Sequence, residues 1–320
     1  MKTRTFVAII VAASLILAGC LIFAVVMTML NWNFKGLLTT KYVTNEYTVN
    51  EKFENIKIVA NTEDVILLPS DDESVKVIFY EEEKIKHTAN VTDNTLIIDR
   101  TNEKRWSDYI GINSDSQKTT VYLPSGLWGA LDVKLITGDI SLSPALSFTD
   151  INIEASTTDV ECNSSATNNV KIKLGTGDIT ISGISASSLD LVVTTGKISL
   201  TDATVDGNIS IKVSTGKSSL DGVACKNLIS EGGTGDLKLQ SVVATGSFSI
   251  KRSTGDVELK SCDAAEIFIK TDTGDVCGSL LTEKVFITKT DTGKVVVPSS
   301  INGGRCEITT DTGDIKITVE

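Results

Sequence analysis

The stretch Thr176-Gly177-Asp178-Ile179-Thr180-Ile181, followed 19 residues later by Thr195-Gly196-Lys197-Ile198-Ser199-Leu200, decides the fold. Each copy sets a charged residue after the glycine and then an apolar residue at every second position. The unit recurs with its central position at Gly138, Thr158, Gly177, Gly196, Gly216, Gly235, Gly255, Gly274, Gly293 and Gly313, at intervals of 19 or 20. Seven and five residues before the next mark stands a second alternating pair, such as Ile151/Ile153, Val170/Ile172, Leu189/Leu191, Phe248/Ile250 and Ile267/Ile269. Period-two alternation of β-branched residues means strands with one buried face. No single rung can bury that face alone, so the rungs must stack in parallel. The prediction is an all-β chain: a parallel β-solenoid with about ten rungs of 19–20 residues over 126–320. At the marks the chain turns a corner, and glycine alone enters φ > 0 without a steric penalty. Gly138, Gly177, Gly196, Gly216, Gly235, Gly255, Gly274, Gly293 and Gly313 are the expected structural corners.

Upstream the period weakens. Ile56-Lys57-Ile58 through Val65-Ile66-Leu67 reads as one rung with Glu63 in the glycine position, and the period is then lost. Segments 75–80, 95–98 and 119–123 read as antiparallel strands separated by the charged run 81–86 and by polar loops. Residues 42–125 are therefore expected to form an irregular β cap at the N-terminal end of the stack, with 31–41 as a tether. Residues 6–30 form one apolar stretch without a charged residue, long enough at 1.5 Å per residue to span a bilayer core of about 30 Å. Lys2 and Arg4 precede this stretch, and no acidic residue occurs before Glu46. That bias puts residues 1–5 in the cytoplasm and the bulk of the chain outside a cell membrane crossed once. Leu17-Ala18-Gly19-Cys20 also matches a lipoprotein cleavage box, which would make Cys20 a lipidated first residue. The ten further apolar residues at 21–30 favour an uncleaved transmembrane helix over that alternative and over a cleaved signal.

The whole chain of 320 residues carries 30 basic and 41 acidic residues, a net charge of −11. With Lys2 and Arg4 inside, the exported part has a net charge of −13. Such a surface repels phosphate, so no nucleic acid is expected as a partner. One histidine leaves little material for histidine-based catalysis or metal binding. The hydrophobic content of 41% argues against disorder.

The anchor, the Asn61-Thr62-Glu63-Asp64-Val65 rung, the Val121-Tyr122-Leu123-Pro124 strand and the Thr-Gly-Asp-Ile rungs together resemble the large bacterial membrane-anchored "putative adhesin" family. The resemblance covers residues 50 to 320. It implies a membrane-tethered β-solenoid of undefined function, sometimes associated with cell-envelope stress systems, and it offers no catalytic residues to carry over.

The columns of the repeat carry the candidate chemistry. Asp139, Asp159, Asp178, Asp236, Asp256, Asp275 and Asp314 follow the marks, with Lys197, Lys217 and Lys294 interposed. Late in the chain a second acidic residue stands two before the mark, at Asp272, Asp291 and Asp311. Asp272, Asp275, Asp291, Asp311 and Asp314 are thus a candidate cation site, calcium by its oxygen ligands; otherwise they are turn formers, with no cofactor. Gly216-Lys217-Ser218 lacks the upstream glycine and the following helix of a phosphate loop. His87, in a charged stretch without a nearby histidine or cysteine, is expected on the solvated surface. Paired carboxylates such as Asp272 and Asp291 raise a carbohydrate-active enzyme, against which the absence of rung insertions and the scarcity of aromatics count. Cys162, Cys262 and Cys306 fall in inward columns without partners in neighbouring rungs, so free thiols are expected.

The resulting expectation is a non-catalytic, extracytoplasmic interaction module, adhesin-like, held in the membrane by its N-terminal helix. Its partners would be a protein or cell-wall polymer at the solenoid surface. The alternative is an envelope-stress accessory acting through a membrane regulator. Residues 314–319 read as a last strand with no cap after it, so self-association through the C-terminal strand is also expected.

Overall fold

The computed structural model describes residues 2–29, 31–32, 41–102 and 116–320. Two compact units divide the chain: residues 1–43, 82–86 and 102–115, and residues 44–81, 87–101 and 116–320. The first unit contains the helix Lys2–Met29. Within it Phe6–Met29 forms an apolar span of 24 residues. At 1.5 Å per residue that is about 36 Å, enough to cross a membrane or to serve as a signal sequence. Its two hydroxyls at Ser14 and Thr28 donate to the carbonyls of Ile10 and Ala24, so neither needs water. Leu30 and residues 33–40 of the expected tether lie outside the described residues.

The second unit is a parallel β-solenoid of about ten turns. The period found in the sequence is the register of the stack: Ile151 pairs with Val170, Val170 with Leu189, and Leu189 with Ile209. Those four side chains, like Ile153, Ile172, Leu191 and Ile211 beside them, are buried. Each such side chain contributes roughly 1.5–3 kcal/mol on leaving water. A rung therefore holds through its neighbours above and below, as the alternation required. All nine mark glycines have φ between 129° and 153°. Each also lies against the backbone carbonyl of the mark residue one rung away, leaving no room for a Cβ.

Chain order and stacking order part company at both ends. The rung Asn55–Val59/Glu63–Pro69 pairs in parallel with Gly126–Thr137 and Ile140–Leu142 on one side. On its other side it pairs, again in parallel, with Thr95–Asn102 and Gln117–Leu123. Two of the three segments expected to be antiparallel thus join the parallel stack. Only Val75–Glu82 runs antiparallel, against Gln117–Leu123, and Tyr42–Val49 pairs with it in turn.

The other end repeats the device. Gly304–Thr312 pairs with Val257–Thr273 on one side and with Lys284–Thr292 on the other. Ile315–Val319 likewise lies between Val276–Leu280 and Val295–Val296. The rung that comes last in the chain is inserted one layer inside the stack, with Cys306, Ile308, Ile315 and Ile317 all buried. The C-terminal strand expected to lie open at the end is covered at Ile315 and Lys316 by Val295–Val296, while among the described residues 317–319 pair on one side only.

Candidate functional site

The solenoid presents three places where chemistry is concentrated. The first is the aspartate column. Asp275 N–H donates to Asp256 Oδ1 at 2.8 Å, Asp314 N–H to Asp275 Oδ1 at 2.7 Å, and Lys294 N–H to Asp314 Oδ1 at 2.7 Å. The same contact links Asp159 to Asp178 and Asp178 to Lys197 at 2.8 and 2.7 Å. Each carboxylate therefore bonds the backbone of the next corner, a local use that suits a short acidic side chain. Lys217 closes the gap in the column with an ion pair to Asp236 at 2.8 Å. The Lys217 hydrogen bond holds the Asp236 carboxyl below its ordinary pKa. Asp272, Asp311 and Asp291 stack in that spatial order, since Thr312 pairs with both Thr273 and Thr292. Asp291 is met by Lys289 at 3.0 Å. Among the described residues no three histidine, cysteine, aspartate or glutamate side chains converge as a metal-holding cluster.

The second place overturns the expectation for His87. Its side chain is buried, not solvated, and it stacks on Phe79 with ring centroids 5.0 Å apart. Nδ1 meets Glu81 Oε2 and Nε2 meets Glu63 Oε2, each at 2.5 Å. Both carboxylates are themselves buried; Glu81 also accepts the His87 N–H, and Glu63 accepts from Thr119 Oγ1. Facing two ionised carboxylates, both ring nitrogens donate and the ring is an imidazolium. Burial works against that charge, but the Glu63 and then the Glu81 interactions outweigh it and raise the His87 pKa above its ordinary 6.5. A raised folded pKa stabilises fully below the unfolded pKa and is lost as pH rises through the folded value. The expected result is a melting temperature that falls with rising pH above about 6.5. His87→Gln should flatten that slope, and identical pH profiles for the two proteins would contradict the assignment. With both nitrogens engaged by carboxylates on opposite sides, the ring offers no lone pair to a metal. Sequence reasoning missed this triad, although an acidic residue at the glycine position of the first rung was its signal.

The third place is the end of the stack formed by Lys284–Thr292 and Val295–Val296. Among the described residues, Lys284–Thr292 pairs on one side only, with Gly304–Thr312. Lys284 is tied down by Asp263 at 2.6 Å. Thr288 stands where Ile308 and Ile269 stand in the rungs beneath, so that column ends in a polar residue, while Phe286 two residues earlier packs on the core. Around it Leu281, Ile287, Val295, Val296 and Ile301 are exposed.

The inward thiols Cys162, Cys225, Cys262 and Cys306 are buried and free. Burial pushes Cys162 and Cys306 up to about 12, which keeps them unreactive.

The family model described as Toastrack DUF4097 matches residues 53–212 and 203–320. No curated protein matches the sequence. Among solved structures, a "putative adhesin" from Parabacteroides distasonis ATCC 8503 is 16% identical, with a TM-score of 0.47 over 74% of this chain and 98% of that one. A "putative adhesin" from Bacteroides fragilis NCTC 9343 is 17% identical, with a TM-score of 0.42 over 87% of this chain and 97% of its own. A "putative lipid binding protein" from Parabacteroides distasonis ATCC 8503 is 14% identical, with a TM-score of 0.37 over 87% and 97%.

Proposed function

From the premise that this chain belongs to the Toastrack DUF4097 family, we propose that it is a non-catalytic, adhesin-like interaction module. The helix Lys2–Met29 would hold it in the cell membrane with the solenoid outside. Its contact would be made through the open end of the stack. The observation that carries this reading is the outer edge of Lys284–Thr292, unpaired among the described residues and set among the exposed Leu281, Ile287, Val295 and Val296. A strand edge offers a row of N–H and C=O groups that another strand satisfies best.

A second copy of this chain fits that edge. Lys289 and Asp291 flank Thr290, so an antiparallel pair centred on Thr290 sets each lysine opposite the other copy's aspartate, twice over. The self-association expected of the C-terminal strand thus moves one layer outward. Sedimentation of the full chain in detergent should show a concentration-dependent dimer, with amide protection rising at 284–292. Ile287→Lys should weaken it at least tenfold. A native protein that stays monomeric at every concentration would overturn the assignment.

A further inference from the structure

Five strands meet at the His87 ring and its carboxylates. His87 comes from Ile85–Thr92, Glu81 from Val75–Glu82, Glu63 from Glu63–Pro69, Thr119 from Gln117–Leu123 and Asn45 from Tyr42–Val49. Glu81 Oε1 accepts from Asn45 Nδ2 at 2.5 Å. Tyr47 meets Phe79 edge-on with ring centroids 5.5 Å apart, and Phe79 in turn covers the imidazole. Among the described residues, Glu63 and Glu81 are the charged groups that face the ring; the two remaining strands lend the uncharged Thr119 and Asn45. His87 is the one histidine of the chain, so a response to pH near neutrality is concentrated at this point.

The closed geometry suits one charge state. As an imidazolium the ring donates to a buried carboxylate on each side. A neutral imidazole has a single N–H, so one carboxylate would meet a lone pair at 2.5 Å. A buried carboxylate stripped of its donor is costly, and water reaches it only when the strands part. Burial opposes the charge, but the Glu63 and Glu81 interactions override it. The charged ring therefore holds fully below the ordinary histidine value and is lost as pH rises through the raised one. Topology sets what gives way. Val75–Glu82 lies antiparallel on Gln117–Leu123, whose other side is held by Glu63–Pro69 in the parallel stack. Melting reports the whole chain, whereas the position of the triad confines the opening to these cover strands.

We propose that the Glu63–His87–Glu81 triad is a pH-operated latch: the charged ring holds Val75–Glu82 and Ile85–Thr92 against the first rung, and loss of its proton releases them while the rungs beyond Gly126 stay stacked. Release bares the edge of Gln117–Leu123 that Val75–Glu82 now covers. The latch acts at the end of the stack away from Lys284–Thr292 and stands whether or not the chain self-associates.

The test is hydrogen exchange of the full chain in detergent at about pH 6 and about pH 9, corrected for the intrinsic effect of pH on exchange. Protection of 75–81 and 87–92 should fall roughly tenfold or more between the two, with 140–280 unchanged. Glu81→Gln and Glu63→Gln each set an amide beside one ring nitrogen. Its N–H donates to a neutral ring and its carbonyl accepts from a charged one, so either variant should keep the cover strands protected at both pH values. Native protection of 75–81 and 87–92 that does not change, or that falls together with 140–280, would overturn the proposal. So would a step of native size in both variants. Cover strands already unprotected at the lower pH in both variants would overturn it too, because the charges would then hold the strands without switching them.

Discussion

Deleting residues 303–320 is expected to unfold the end of the solenoid rather than shorten it by one rung. The deletion removes the buried Cys306, Ile308, Ile315 and Ile317 from between two layers. At roughly 1.5–3 kcal/mol for each large aliphatic side chain, the three isoleucines alone contribute on the order of 5 kcal/mol. Lys284–Thr292 and Val295–Val296 would then lose every strand partner they have among the described residues. Hydrogen exchange should show 284–296 unprotected, and 257–280 exchanging much faster than in the intact chain. A truncated protein with native protection at 284–296 would mean that this rung drops one layer and re-forms the stack. The insertion would then carry no special weight.

Gly255→Val is expected to destabilise the corner column by about 3 kcal/mol or more. Gly255 has φ of 139°, which a β-branched residue resists. A Cβ would also press on the Gly235 carbonyl, and that carbonyl belongs to backbone fixed by its own rung. Neither strain can relax without opening the register of two layers. Asp256→Asn should cost under about 1 kcal/mol, because its Oδ1 still accepts the Asp275 N–H now found at 2.8 Å. Chemical denaturation of the two variants beside the native chain measures the contrast. Equal losses would mean that the carboxylate charges, and not the close approach of backbones, hold the corners.

The period and the alternation carried the fold because they report local facts: which face is buried and where the chain can turn. Layer order is not such a fact. Thr310-Asp311-Thr312-Gly313-Asp314 looks like Thr271-Asp272-Thr273-Gly274-Asp275 and Thr290-Asp291-Thr292-Gly293-Lys294, and nothing in the three says which lies between the others. The parallel direction of Thr95–Asn102 is hidden for the same reason, since alternation has no sign. His87 was misjudged because the charged run beside it suggests solvent, while its partners Glu63 and Glu81 are brought to it only by folding. The burial of Arg252 in the core was legible in principle: a cation in an inward column, one repeat after a glycine in that column, breaks the pattern on both counts.

The inserted rung also governs how the solenoid answers a pull. A strand at the free end of a stack peels away one hydrogen bond at a time, each break exposing the next. Ile315–Val319 is paired along its whole length with Val276–Leu280 and, at Ile315 and Lys316, with Val295–Val296 as well. Tension entering through it runs along the strand and loads the whole ladder to Val276–Leu280 together, with the short pairing to Val295–Val296 beside it. The structure must shear there instead of unzipping, and shear spreads the load over many bonds. A protein held at one end in a membrane and gripped at the other would gain mechanical endurance from this arrangement.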